Sequence, residues 1–130
     1  MALYNKNDKA LHYLCAVSDI SEGKPKVFSV RNDKGNRIEL ALFNIEGKFY
    51  AISNRCVHEG GPLDDGVLEG YVVTCPWHGW KYSVIDGKAP HEGGDSVRSY
   101  EIKVIEGCIY LRHGHNSRFV FLAKSIDELG

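Results

Sequence analysis

The chain has 130 residues, 43% of them hydrophobic and 25% charged, with a formal net charge of −1. This size and balance predict one globular domain, 1–130, whose core needs no disulfides to form. The near-neutral charge excludes the basic footprint of a nucleic-acid binder. No apolar run approaches the roughly 18 residues that a membrane helix needs. Met1 to Lys9 is polar and lacks the apolar centre of a signal peptide, so a cytoplasmic, reducing compartment is the expectation.

The pattern is β throughout, in short alternating runs bounded by Gly, Asn and Asp. His12–Val17 is the first predicted strand and Val27–Arg31 the second, followed by a turn at Asn32-Asp33-Lys34-Gly35-Asn36. Ile38, Leu40 and Leu42 share one face of a third. Glu46-Gly47-Lys48 predicts a hairpin into Phe49–Ser53. Tyr71–Thr74 and Lys81–Ile85 flank a loop, and Asp86-Gly87 is a turn signal. Tyr100, Ile102 and Val104 alternate, and Glu106-Gly107 turns the chain into Cys108–Arg112. The polar break His113–Ser117 precedes an extension, about 114–130. Within it, Arg118–Ala123 is apolar and either adds an edge strand or covers the sheet, and Ser125–Gly130 either forms a short helical turn or frays. The fold class is all-β, an antiparallel sandwich or small barrel.

Four cysteines in a reducing compartment point to metal before disulfides. Cys15 and Cys108 lie in apolar runs and are expected to be small core residues, with a mutual disulfide as the alternative. Cys56-Val57-His58 and Cys75-Pro76-Trp77-His78 each pair a thiolate with an imidazole. His12, His91, His113 and His115 are scattered and are expected at the surface. Gly60 and Gly61 follow the first pair and Gly79 the second. These glycines permit close backbone approach and positive φ, while Pro62 and Pro76 stiffen the loops. Two Cys and two His also suit structural zinc, although zinc modules usually group the cysteines apart from the histidines.

The two runs Cys56-Val57-His58-Glu59-Gly60-Gly61-Pro62-Leu63 and Cys75-Pro76-Trp77-His78-Gly79-Trp80-Lys81-Tyr82 resemble the cluster loops of Rieske-type 2Fe–2S ferredoxins. The resemblance spans about Leu14 to Leu111 and is specific in the two loops, generic in the outer strands. It implies antiparallel sheets with a small cluster-binding subdomain, about 54–82. It also implies one 2Fe–2S cluster, with Cys56 and Cys75 on the inner iron and His58 and His78 on the outer. Gly60, Gly61, Pro76, Trp77, Gly79, Trp80 and Tyr82 would surround it. Respiratory members of the family carry a loop disulfide where this chain has Gly61 and Trp77, and a serine where it has Trp80. Those departures imply a potential toward the lower end of the Rieske span of about −150 to +300 mV. Tyr82 matches a tyrosine that donates to a cysteine sulfur, unless it is an ordinary strand aromatic.

The implied function is a one-electron carrier between an NAD(P)H-dependent flavin reductase and a terminal oxygenase. A redox or accessory small subunit of a nitrite-reductase-like complex, and an inert zinc module, are the alternatives. No nucleophile–base pair stands out, so the chain reads as a carrier rather than an enzyme. Trp77 either shields the cluster or forms part of a docking edge. Glu59, Asp64, Asp65 and Glu69 form an acidic run that either steers a basic partner or is plain solvated surface.

Overall fold

The computed structural model describes residues 11–32, 35–56, 60–77, 79–90, 94–112 and 119–123. Ten strands are present: β1 (Leu11–Ala16), β2 (Lys26–Asn32), β3 (Arg37–Ile45), β4 (Lys48–Ser53), β5 (Val67–Glu69), β6 (Val72–Thr74), β7 (Lys81–Ser83), β8 (Ser99–Ile105), β9 (Cys108–Arg112) and β10 (Phe119–Ala123). Seven form one sheet in the order β1-β9-β8-β4-β3-β2-β10, and β5-β6-β7 form a second. Neighbouring strands pair antiparallel throughout. The helical turns among the described residues are two short 3-10 segments, Val17–Asp19 and Leu63–Asp65. The expected all-β class is therefore the observed one.

Two tight hairpins set the register of the large sheet. Glu46 (φ 53°) and Gly47 (φ 82°) join β3 to β4, and Glu106 (φ 51°) and Gly107 (φ 77°) join β8 to β9. Positive φ at both central positions is the primed turn whose twist matches a right-handed ladder. At the first of these, Asn44 Oδ1 accepts the Gly47 N–H at 3.0 Å, and its Nδ2 donates to the Ile20 carbonyl at 2.9 Å.

The large sheet curls into a near-barrel. Leu14 of β1, Phe28 and Val30 of β2, Leu40 and Leu42 of β3, and Ile109 and Leu111 of β9 meet in one core. Strands far apart in the ladder thus bury one common interior. The opposite face of β3 and β4 builds a second core. Ala41, Phe43, Ile45 and Ile52 pack there with Leu63, Val73, Tyr82, Val84 and Val97 of the small sheet and its connections. β3 is consequently buried on both faces. The alternation of Ile38, Leu40 and Leu42 captured one of those faces.

Other boundaries differ from expectation in local ways. Val17 opens a 3-10 turn instead of ending β1. β7 stops at Ser83, whose carbonyl accepts the Gly87 N–H at 2.8 Å, leaving Ile85 exposed in the turn. Val104 is half exposed, so the alternation in β8 does not continue to its end. β5 was not anticipated, because it hides in the acidic stretch after Asp65. β10 pairs with β2 at the sheet edge, so of the two alternatives for the tail, edge strand or cover, the structure shows the edge strand. The polar break at 113–117, the turn at 33–34 and the segment 125–130 lie outside the described residues.

Candidate metal centre

The small sheet and the connection after β4 present two loops of matching construction. In the first, Arg55 and Pro62 form an isolated antiparallel bridge at the base. The Cys56 N–H donates to the Gly61 carbonyl and the Gly60 N–H donates back to the Cys56 carbonyl, both at 2.9 Å. In the second, between β6 and β7, the Cys75 N–H donates to the Trp80 carbonyl at 2.7 Å and the Gly79 N–H to the Cys75 carbonyl at 3.2 Å. The offsets along the chain are the same in both. Gly60 and Gly79 take φ of 71° and 76°, a left-handed turn that glycine enters without a Cβ penalty.

The loops touch each other through Gly61. A Cβ there would lie 2.7 Å from Cys75 Sγ and 3.1 Å from the Trp77 ring. Only a residue without a side chain fits that contact. Cys56 and Cys75 are both buried within the second core. Tyr82, on β7, is fully buried, with its hydroxyl 3.1 Å from Cys56 Sγ. The tyrosine is thus placed against a loop cysteine rather than serving only as strand packing. Trp80 is half-buried against the same core. Pro76 is exposed, and Trp77 is 48% exposed beside Gly61.

His58 and His78 lie outside the described residues, as do Val57 and Glu59. None of the four cysteines is in a disulfide. Cys15 pairs across the ladder with Ile109, and Cys108 with Ala16. Successive pairs face opposite sides of a sheet, which sets the two sulfurs apart. Cys15 is a core residue as expected, whereas Cys108 is only half-buried because it faces away from the first core. His12 is half-buried on β1, and His91, His113 and His115 lie outside the described residues.

Beneath the first loop sits a polar network that the sequence reading missed. Asn54 is buried, and its Oδ1 accepts the Asp64 N–H at 2.8 Å. Its Nδ2 donates to Glu39 Oε1 at 3.1 Å, and Arg55 Nη2 donates to Glu39 Oε2 at 2.9 Å. Asn54-Arg55 directly before the first cysteine was the available local signal. Asp64 is half-buried, and burial raises its carboxyl pKa, although its bond with Asn54 opposes the rise. Asp65 and Glu69 are exposed.

Comparisons with known proteins agree with this geometry. Over 90 residues the chain is 36% identical to the ferredoxin component of a naphthalene 1,2-dioxygenase system of Pseudomonas putida, covering 68% of this chain and 82% of the relative. It is also 36% identical, over 101 residues, to the 3-phenylpropionate/cinnamic acid dioxygenase ferredoxin subunit of Escherichia coli, covering 76% of this chain and 90% of the relative. Among solved structures it resembles a chain from the complex of reduced oxygenase and oxidized ferredoxin in carbazole 1,9a-dioxygenase. There the TM-score is 0.68 at 28% identity, over 81% of this chain and 94% of that one. The Sphingomonas yanoikuyae B1 ferredoxin gives a TM-score of 0.66 at 25% identity, over 79% and 98% respectively. Residues 10–101, which include both loops and the strands that carry them, match the Rieske [2Fe-2S] domain, and the chain belongs to that family.

Proposed function

We propose that the chain is the ferredoxin of a multicomponent oxygenase system, a one-electron carrier that is not itself catalytic. In this reading Cys56 and Cys75 bind one iron of a 2Fe–2S cluster and His58 and His78 the other. Residues of about 54–82 form the cluster-binding part of a single domain. The observation that carries it is the matched pair of loops, each closed by the same two backbone hydrogen bonds around a buried cysteine. The donor chemistry fits: two buried thiols from facing loops, a glycine where a Cβ would strike one sulfur, and a phenol against the other. Bound there, the cluster would take up and release one electron at a time.

The chain's own residues would tune and protect that exchange. The Tyr82 hydroxyl is placed to donate to the Cys56 thiolate, which favours the more negative reduced state. Gly60 and Gly79 close the two turns onto the Cys56 and Cys75 carbonyls, which would fix how each cysteine faces the cluster. Trp77 covers Gly61 with one face and offers the rest of its ring to solvent, where a docking partner would meet it. A flavin-dependent reductase as donor and a terminal oxygenase as acceptor follow from the likeness to dioxygenase ferredoxins. Both would dock transiently over a small interface, in the cytoplasm.

The test is the EPR spectrum of the dithionite-reduced protein, together with iron and acid-labile sulfide analysis. A rhombic signal of low average g, with two irons and two sulfides per chain, is the expected result for mixed Cys/His ligation. A colourless, zinc-loaded protein from iron-replete cells would overturn the reading.

A further inference from the structure

Glu39 lies on β3, well before the first loop in sequence, yet both its carboxylate oxygens are engaged there. Oε2 accepts from Arg55 Nη2 at 2.9 Å, and Oε1 accepts from Asn54 Nδ2 at 3.1 Å. The second arm of the Arg55 fork continues to the far side of the loop, where Nη1 donates to the Gly60 carbonyl at 3.1 Å. Asn54 reaches that side too. Its Oδ1 accepts the Asp64 N–H and its backbone carbonyl accepts the Leu63 N–H, both at 2.8 Å. The Asn54 N–H is itself bonded to the Glu39 carbonyl at 2.9 Å. One carboxylate on a strand buried on both faces is thereby tied to both rims of the loop that carries Cys56.

We infer that Glu39, acting through Arg55 and Asn54, is a positioning residue that fixes the Cys56 loop against Cys75 and so governs how firmly the two loops hold the cluster. The inference rests on the cluster reading proposed above. Its physical basis is the absence of slack at Gly61. The Gly60 carbonyl held by Arg55 belongs to the peptide that leads into Gly61, which already sits against Cys75 Sγ and the Trp77 ring. Any swing of that peptide moves Gly61 on the sulfur. Arginine suits the task because its planar fork spans two acceptors in fixed geometry, whereas a lysine ammonium is a single point on a flexible stem. The ion pair is 53% exposed at Arg55 and 16% at Glu39. An ion pair open to solvent at its Arg55 end adds little to global stability, so the effect of Arg55 is local to the loop.

The experiment compares the holoprotein with its Glu39→Gln, Glu39→Ala and Arg55→Lys variants. Three quantities are read: the rate of iron release to a chelator, the line shape of the reduced EPR signal, and the thermal midpoint of the far-UV signal. Glu39→Ala and Arg55→Lys are expected to release iron roughly tenfold faster or more, the usual effect of losing a group that orients a ligand. Both are also expected to broaden the EPR line, Arg55→Lys with the thermal midpoint in place and Glu39→Ala with a lowered one, because the buried Asn54 Nδ2 loses its acceptor. Glu39→Gln keeps one acceptor oxygen and is expected to fall between them and the parent. Release rates and line shapes equal to the parent's would overturn the inference. So would a faster release from Arg55→Lys that only tracks a lowered thermal midpoint, which marks a general structural role. If Glu39→Ala does not fold, the near-isosteric Glu39→Gln and Arg55→Lys decide on the same criteria. A parent without a 2Fe–2S signal overturns the cluster reading, and the inference with it. A parent with the signal and indifferent variants overturns the inference alone.

Discussion

The Tyr82 hydroxyl lies 3.1 Å from Cys56 Sγ inside the second core, with no solvent to compete for either atom. A phenol donates more strongly to a sulfur that carries more negative charge, so with Cys56 on the cluster as proposed the bond would favour the reduced state. Tyr82→Phe keeps the ring and its packing and removes only this donor. A bond of this type differs by about 1 kcal/mol between the two states, which corresponds to ~40 mV for a one-electron couple. The midpoint of the variant should fall by about that amount in a redox titration. An unchanged midpoint would mean that the hydroxyl does not sense the cluster's charge.

Adjacent glycines in the first loop should respond differently to the same substitution. At Gly60 nothing among the described residues lies within 4 Å of an added Cβ, and the obstacle is φ of 71°. Gly60→Ala should cost roughly 1–2 kcal/mol of backbone strain and retain iron. At Gly61 the added Cβ would meet Cys75 Sγ at 2.7 Å, and that cysteine is buried in the second core. Gly61→Ala should therefore yield protein with little iron. Iron per chain after purification checks both, and a fully loaded Gly61→Ala protein would contradict the contact.

The sequence made the strands legible where alternation and turn residues agreed. Gly47 and Gly107 located two hairpins, while the positive φ of Glu46 and Glu106 beside them is imposed by the ladder and not by a residue preference. Ala41, Phe43 and Ile45 were harder to assign, since burial on both faces of β3 erases the period-2 signal. Val67–Glu69 is too short, between the acidic Asp64-Asp65 and Glu69-Gly70, to read as a strand, and it pairs with β6. The cysteines of the candidate site were legible from their neighbours. Tyr82 was legible as a position but not as a contact, and the network beneath the first loop was signalled only by Asn54-Arg55 before Cys56, not by its remote partner Glu39. It joins β3 to a loop that follows a different strand, and no local pattern encodes that closure.

Cys15 gives the large sheet an alkaline limit. Burial, reinforced by the Asp19 carboxylate and opposed by Lys26, pushes its thiol from 9.0 up to about 12. The folded chain therefore keeps the proton that the unfolded chain gives up first. This contribution to stability is fully present below about pH 9 and is lost as pH rises toward 12. Tyr100 is also raised, chiefly by burial and against the pull of Arg98, and adds to the same decline. Cys15→Ala removes one component and keeps the tyrosine. Its urea midpoint should start lower, by about 1 kcal/mol of stability, and should fall less steeply than the parent's above pH 9. Parallel curves would rule the thiol out as a source of the decline.

The two cores should separate when iron is removed. Leu14, Phe28, Val30, Leu40, Leu42, Ile109 and Leu111 form the first core without any residue of the two loops. Each such side chain contributes roughly 1.5–3 kcal/mol on burial, and none of that depends on a bound metal. Cys56, Cys75 and Tyr82 belong to the second core, where loop placement would depend on ligation. Reduction and chelation should then leave the far-UV spectrum of the sheet nearly intact. The near-UV signals of Trp77, Trp80 and Tyr82 should change, and amide exchange at Cys56 and Gly60 should speed up. β3 is shared by both cores, so its exchange rates report where the loosening stops. Protection should persist at Leu40 and Leu42, which face the first core. Loss of the far-UV signal in step with iron would show instead that the two cores fold as one unit.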